Sequence, residues 1–248
     1  MQRVINFSGG KSSALMTILN YRQGDIVLFT DTKLEHPKTY KFINDFEAYE
    51  NIPVHRAIYT HKSVPGLEGF EALVTRKKYL PNRVQRICTT ELKVLTAKRY
   101  LRSVGVRRFE SLIGFRADEQ RRVDKYDNRY TNVYPKFPLY EDGFNKAMVE
   151  DYWLKKPYTL EIPSILGNCT LCFLKGQNAI ISLMQHYPEL AEPWIEMENM
   201  ATKKAQHKTP PTFINGVSYS QLLKYAQSQK TLFDIESTTP AFSCSCTS

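Results

Sequence analysis

A chain of 248 residues with a hydrophobic fraction of 42% has material for one large α/β domain, or a main domain with a helical tail. No run of about 18 apolar residues occurs, MQRVINFSGG lacks the pattern of a secretory leader, and five cysteines are too few and too odd for a disulfide scaffold; no membrane span is predicted and a reducing cytoplasm is expected. The formal charge of +9 is concentrated: over positions 76–129 sixteen Lys and Arg stand against six acids, which points to a polyanionic partner unless it is only a solvated face.

In chain order, residues 3–7 read as a buried strand, followed by a glycine turn and a helix over about 12–21. Residues 25–30 (DIVLFT) form a second strand, 36–50 a helix opened by His36-Pro37, and 53–58 a third strand. This alternation predicts a doubly wound, mostly parallel α/β sheet, whose ligands sit at the carboxyl ends of the strands. Residues 63–86 read as irregular structure with a short helix. Residues 89–104 read as a helix with Thr89 or Thr90 at its cap and Glu91 in its first turn, and 109–114 as a strand. Helices are expected at 145–154, 174–186, 188–205 and 219–228, with a loop at 157–163. The domain reading is an α/β body over 1–142, a helical region with a C-x-x-C over 143–228, and a polar, flexible tail over 229–248 that ends CSCTS.

The stretch VINFSGGKSSALM places Ser8, Gly9, Gly10, Lys11, Ser12 and Ser13 between the first strand and the first helix. A Walker loop is excluded, because G-x-x-x-x-G-K-[ST] would need glycine where Ile5 stands. Strand, S-G-G-K-x-S, helix still describes an anion site. The glycines let backbone N–H groups turn inward, the helix start adds partial positive charge, Lys11 adds a full one, and the hydroxyls can donate to phosphate oxygens. A plain strand-to-helix turn is the alternative.

Cys169 and Cys172 form a C-x-x-C, which brings two thiolates within reach of one metal, and Cys88 lies 80 intervening residues upstream. An iron–sulfur cluster, a zinc site, a redox thiol pair and buried inert cysteines are the readings open from spacing, with Cys244 or Cys246 as a possible fourth ligand. The five histidines make no H-x-x-x-H or H-E-x-x-H pattern and receive no role.

Several segments together resemble a known family. SGGKSSA is similar to the PP-loop S-G-G-x-D-S of N-type ATP pyrophosphatases and phosphoadenosine phosphosulfate (PAPS) reductases, with Ser12 where the family has Asp. FTDTKLEHPKTY resembles their F-x-D-T-G-x-x-x-P-E-T-Y, with Lys33 for Gly. ICTTELK resembles C-C-x-x-x-K, with Ile87 for the first Cys, GFRADEQRR resembles G-x-R-x-x-E-S-x-x-R, and Pro138-Leu139 with Trp153 resembles a P-L…W segment. The likeness covers about residues 3–176 and implies a PP-loop (HUP-type) fold with a helical C-terminal extension.

For the site, the resemblance implies nucleotide contacts from Ser8, Gly9, Gly10, Lys11, Ser12, Ser13, Asp31, Thr32, Lys93, Gly114 and Arg116. Lys11, Arg116 and Arg122 would be catalytic, and Mg²⁺ is a possible companion ion at Asp31. The Cys88, Cys169, Cys172 spacing is similar to that of iron–sulfur adenylylsulfate reductases, which implies a [4Fe–4S] cluster with three of its four cysteines present. The function expected is binding of ATP, cleavage at the α-phosphate to AMP and pyrophosphate, and sulfur transfer through the cluster. A nucleic acid is the candidate acceptor, and a sulfur or electron donor protein a further candidate partner. The first alternative is reduction of PAPS or adenylylsulfate to sulfite, although no E-C-G-x-H surrounds Cys244 or Cys246. The second is a nucleotide- or nucleic-acid-binding module without turnover, which Ser12 in place of Asp would suit.

Overall fold

The computed structural model describes residues 1–126, 131–204 and 211–229. Arg129, Cys244 and Cys246 lie outside them.

Five strands, β1 (Gln2–Asn6), β2 (Ile26–Asp31), β3 (His55–Ile58), β4 (Phe109–Ile113) and β5 (Val133–Lys136), form one sheet in the order β3-β2-β1-β4-β5. Every pairing is parallel. The chain winds outward from β1 to β3, then returns to lay β4 against the other side of β1. The crevice of such a sheet opens where the winding reverses, at the carboxyl ends of β1 and β4.

Strand alternation sends side chains to two covered faces. Ile5, Val27, Phe29 and Leu112 pack on one side with residues of α1 (Lys11–Asn20), α2 (Pro37–Glu50) and α7 (Lys146–Leu154). Val4, Leu28, Ala57 and Val133 pack on the other with Leu101 of α4 (Thr96–Ser103). A third core joins α3 (Gly69–Lys77) to α8 (Gln177–His186), α9 (Glu192–Lys204) and α10 (Tyr219–Ser228), with Phe70, Trp194, Phe213 and Tyr219 at its centre. The short helices α5 (Gln120–Asp124) and α6 (Pro138–Glu141) follow β4 and β5.

Three local outcomes differ from the sequence expectation. β5 is a strand that the sequence did not announce, because Pro135 interrupts it; proline is tolerated here because β5 is the sheet edge. The helix expected over 89–104 is two pieces, a π-helical Thr89–Leu95 and then α4. The Thr96 hydroxyl donates to the Glu91 carbonyl, five residues back, at the junction. The helix expected from 174 is a tight turn Phe173–Lys175 followed by α8, separated by Gly176 at φ 87°. Among the described residues no helix is long and apolar enough to cross a membrane.

Glu198 of α9 clamps the C-terminal helices. Its two oxygens accept from the backbone N–H groups of Phe213 (3.1 Å) and Tyr219 (2.7 Å). Burial pushes its carboxyl up to about 7, against the pull of those two N–H bonds. The protonated form therefore favours the fold. Its stabilisation is complete below the ordinary value of 4.5 and is lost as pH rises toward about 7. The stability difference between wild type and Glu198→Gln, followed by urea unfolding, is expected to shrink over that window; a difference independent of pH would contradict this.

Candidate functional site

The loop at residues 8–13 closes on Ser13. Its buried hydroxyl accepts from the Ser8 N–H and the Ser8 hydroxyl, both at 3.0 Å, and donates to the Gly10 carbonyl at 2.9 Å. Gly9 sits at φ +74°, and a Cβ there would lie 2.7 Å from Thr39 Cγ2, so only glycine fits. Gly10 caps α1 without a side-chain bond, and no acid stands in the first turn, so the partial positive charge of the helix start is not offset locally.

β4 brings a second group of predicted residues to the same place. A Cβ on Gly114 would stand 3.1 Å from Ser13 Cα, so glycine allows β4 to meet the loop. Beyond it, Arg116 donates to the Ser12 hydroxyl at 3.2 Å and grips Asp118 through Nε (2.9 Å) and Nη2 (3.0 Å). Glu119 takes the Arg116 N–H at 3.0 Å and Arg122 Nη1 at 2.5 Å. The Arg122 guanidinium lies 4.2 Å from the Phe115 ring centre. Ser12 is thus the loop's contact with this arginine cluster.

Lys11 turns toward α7, where Glu150 holds its ammonium at 2.6 Å, while the Trp153 indole donates to the Lys11 carbonyl at 3.0 Å. Both partners of the ion pair are partly exposed, and such pairs contribute about 0–1 kcal/mol. Glu150→Gln is therefore expected to raise affinity for a phosphate ligand of the loop by no more than about fivefold, read by calorimetry. A loss of affinity would show that Glu150 orients Lys11 rather than competes for it.

At the end of β2, Asp31 accepts the Lys33 N–H (2.7 Å) and the Tyr40 hydroxyl (2.8 Å). Lys33 has φ 64°, the left-handed region that favours glycine. The next residue, Thr32, faces the cysteines: its hydroxyl donates to Glu35 at 3.2 Å and lies 3.4 Å from Cys169 Sγ.

Cys88, Cys169 and Cys172 line one cavity with Thr32, Lys93 and Trp194. Cys172 is buried; Cys88 and Cys169 are half-buried. Lys93, expected among the nucleotide contacts, is buried and lines this same cavity. Among the described residues no three His, Cys, Asp or Glu stand close enough to hold a single metal ion.

Residues 169–172 are held from all sides. The buried Lys175 ammonium donates to the carbonyls of Cys169 (2.7 Å), Thr170 (2.7 Å) and Gly167 (3.3 Å). Tyr219 donates to the Leu171 carbonyl at 2.6 Å, the Trp194 indole to the Thr170 hydroxyl at 3.2 Å, and the Thr170 N–H to the Leu34 carbonyl at 3.0 Å. Beneath them Glu35 is buried. Burial pushes its carboxyl up, while Lys93, the Thr32 hydroxyl and Lys175 pull it back only in part. Sequence reasoning missed Glu35, Glu150 and Lys175, since no motif separates them from surface charges.

In the basic segment, Glu91 collects Lys77 (2.9 Å), Arg99 (3.4 Å) and Arg76 (3.8 Å). Burial pushes the Glu91 carboxyl up, and these cations more than reverse it.

The chain is similar to a family model, to two curated proteins and to solved structures. The model of the phosphoadenosine phosphosulfate reductase domain matches residues 2–153. An uncharacterized nin region protein of Escherichia phage lambda is 30% identical over 207 residues, covering 73% of this chain and 68% of that protein. An uncharacterized protein of Methanocaldococcus jannaschii is 26% identical over 222 residues, and the chain spans only 42% of its length. A crystal structure of PAPS reductase from Candida auris, in complex with phosphate, superposes with a TM-score of 0.44 at 18% identity, covering 64% of this chain and 74% of that one.

Proposed function

Because the chain belongs to the phosphoadenosine phosphosulfate reductase domain family, we propose that it binds an adenine nucleotide in the loop at residues 8–13 and couples cleavage at the α-phosphate to sulfur transfer. The observation that carries this reading is the placement of two halves on neighbouring strand ends. The glycine loop follows β1, and Thr32, the residue after Asp31 at the end of β2, has its hydroxyl 3.4 Å from Cys169 Sγ.

In this reading the N–H groups at the start of α1 and the Ser8 and Ser12 hydroxyls hold phosphate oxygens, between Gly9 and Gly10 on one side and Gly114 on the other, while the Ser13 hydroxyl, donating to the Gly10 carbonyl, braces the loop. Lys11 leaves Glu150 for the phosphates. Arg116 and Arg122 neutralise charge on the departing group, for which the planar guanidinium is suited. Asp31 holds the ribose or a Mg²⁺ ion. An acceptor oxygen attacks the α-phosphorus, the bond to the oxygen bridging to the β-phosphate breaks, and pyrophosphate leaves.

Cys88, Cys169 and Cys172 would hold a [4Fe–4S] cluster. The donor set suits it: three thiols on one cavity, two buried lysines beside them, and ligands of separate irons stand farther apart than those of one ion. The enclosed space is only about 20 Å³, room for one water, so holding a cluster requires the half-buried thiols of Cys88 and Cys169 to turn. When bound, the cluster would supply the sulfur that displaces AMP from the adenylylated acceptor. Zinc is the competing occupant. The basic segment suits a nucleic-acid acceptor, and a donor protein would replenish sulfur or electrons.

The test is anaerobic incubation of the iron-loaded protein with α-labelled ATP, a sulfur source and candidate acceptors. AMP and pyrophosphate are expected; ADP and phosphate would contradict the reading. A second reading, reduction of PAPS or adenylylsulfate, is favoured by the family match itself, and sulfite release with a thiol donor would establish it instead.

A further inference from the structure

We propose that the Lys33 ammonium is the resident cation of Asp31, and that the protein takes its nucleotide without a divalent ion at that carboxylate. The inference rests on the nucleotide reading above and narrows the role of Asp31 within it.

Both oxygens of the buried Asp31 carboxylate are engaged. Oδ1 accepts the Lys33 N–H at 2.7 Å and the Tyr40 hydroxyl at 2.8 Å, and Oδ2 faces the Lys33 ammonium at 3.7 Å. Burial and the bond to Asp31 push the Tyr40 hydroxyl up, so it keeps its proton and stays a donor. The same ammonium pairs with Glu68 at 3.2 Å. Lys33 therefore stands between two carboxylates that would otherwise bracket a divalent ion. Its stem is fixed as well. A Cβ on Gly69 would lie 2.7 Å from Lys33 Cγ, so glycine there makes the room that the stem fills. Mg²⁺ needs near-ideal octahedral oxygen coordination at close range. To reach Asp31 it would have to displace this ammonium.

The position gives the pair its consequence. Thr39, next to Tyr40, packs where a Cβ on Gly9 would stand, so Asp31 and its partners adjoin the phosphate loop. An uncompensated carboxylate there would repel phosphates, and Lys33 offsets it. The loop offers no acid to share a metal with Asp31. Ser12 stands at the Asp position of the S-G-G-x-D-S pattern, and its hydroxyl accepts from Arg116 at 3.2 Å. Glu35 acts electrostatically with Asp31 but is buried, and burial pushes its carboxyl up, which favours the neutral acid over a metal ligand. At both positions where the chain departs from the patterns it resembles, Ser12 and Lys33, a fixed cation is at hand.

The test is calorimetric titration of the full-length protein with ATP, in EDTA and in excess Mg²⁺. Wild type is expected to bind at least as tightly in EDTA as in Mg²⁺. Lys33→Gly suits the φ of 64° and so keeps the fold, which circular dichroism checks. It should lose about tenfold in affinity in EDTA and regain it in Mg²⁺, because the ion now enters between Asp31 and Glu68. Adding Asp31→Asn to Lys33→Gly should abolish that dependence on Mg²⁺. Wild-type affinity that rises about tenfold or more with Mg²⁺, or Lys33→Gly binding equally in the two media, would overturn the assignment while ATP binding itself stands. Wild type that binds no ATP in either medium would remove the nucleotide reading and this inference together.

Discussion

Gly9→Ala is expected to abolish nucleotide binding and to destabilise the protein by about 3 kcal/mol. The two contributions are of similar size. A non-glycine residue at φ +74° costs about 1–2 kcal/mol. The new methyl, 2.7 Å from Thr39 Cγ2 and 3.3 Å from Ile43 Cδ1, adds overpacking of about 1–3 kcal/mol. Relief of that clash must push the loop away from α2 and displace the N–H groups that the phosphates need. Gly24→Ala is the control. Gly24 has φ +93° but nothing within 4 Å of a new Cβ, so it should lose only the conformational part and keep full nucleotide affinity. Denaturant unfolding and calorimetric titration with ATP read both effects. Equal behaviour of the two variants would show that the contact between Gly9 and α2 does not shape the loop.

The second large effect is expected at Lys175. An ammonium has three donors, and here three carbonyls of residues 167–170 take them in a buried setting. Lys175→Met fills similar volume but leaves those carbonyls unpaired and removes a cation from beside Glu35. We expect a loss of about 3–5 kcal/mol, the range for breaking a buried charged arrangement by removing one partner. Iron binding should fall with it, whereas the loop after β1, built from separate contacts, should still bind nucleotide in the folded fraction. A variant of unchanged stability would mean that residues 169–172 are held by Tyr219, Trp194 and Leu34 alone.

Much of the sheet was legible because its signals are local. Residues 3–7 and 25–30 are apolar runs ending in turn residues, and Gly-Gly-Lys-Ser after the first of them reads as an anion loop, with a plain strand-to-helix turn as the alternative. Gly114 and Arg116 were placed at the same crevice by resemblance alone, and β4 beside β1 brings them there. Lys33 shows why a departure from the family pattern mattered: it occupies the left-handed conformation natural to the glycine it replaces.

What stayed hidden depends on distant packing. β5 was masked by Pro135, whose tolerance follows from an edge position that no local pattern encodes. Glu35 looks like any polar turn residue until the Thr170 N–H bonds Leu34 and lays the cysteine loop over it. Lys175 follows Cys172 by three residues in a stretch that periodicity reads as the start of a helix, and only tertiary contact turns it inward. The π-helical turn at Thr89–Leu95, which sets Lys93 against the thiols, has no sequence signature at all.

In the proposed function the glycine loop and the cysteine cavity serve one reaction, joined through the turn after β2. Its most direct test is an ATP titration of the reduced, cluster-loaded protein followed by EPR. A change in the cluster signal is expected that saturates together with nucleotide binding and is missing in Gly9→Ala. A cluster signal unchanged at full nucleotide occupancy would contradict it.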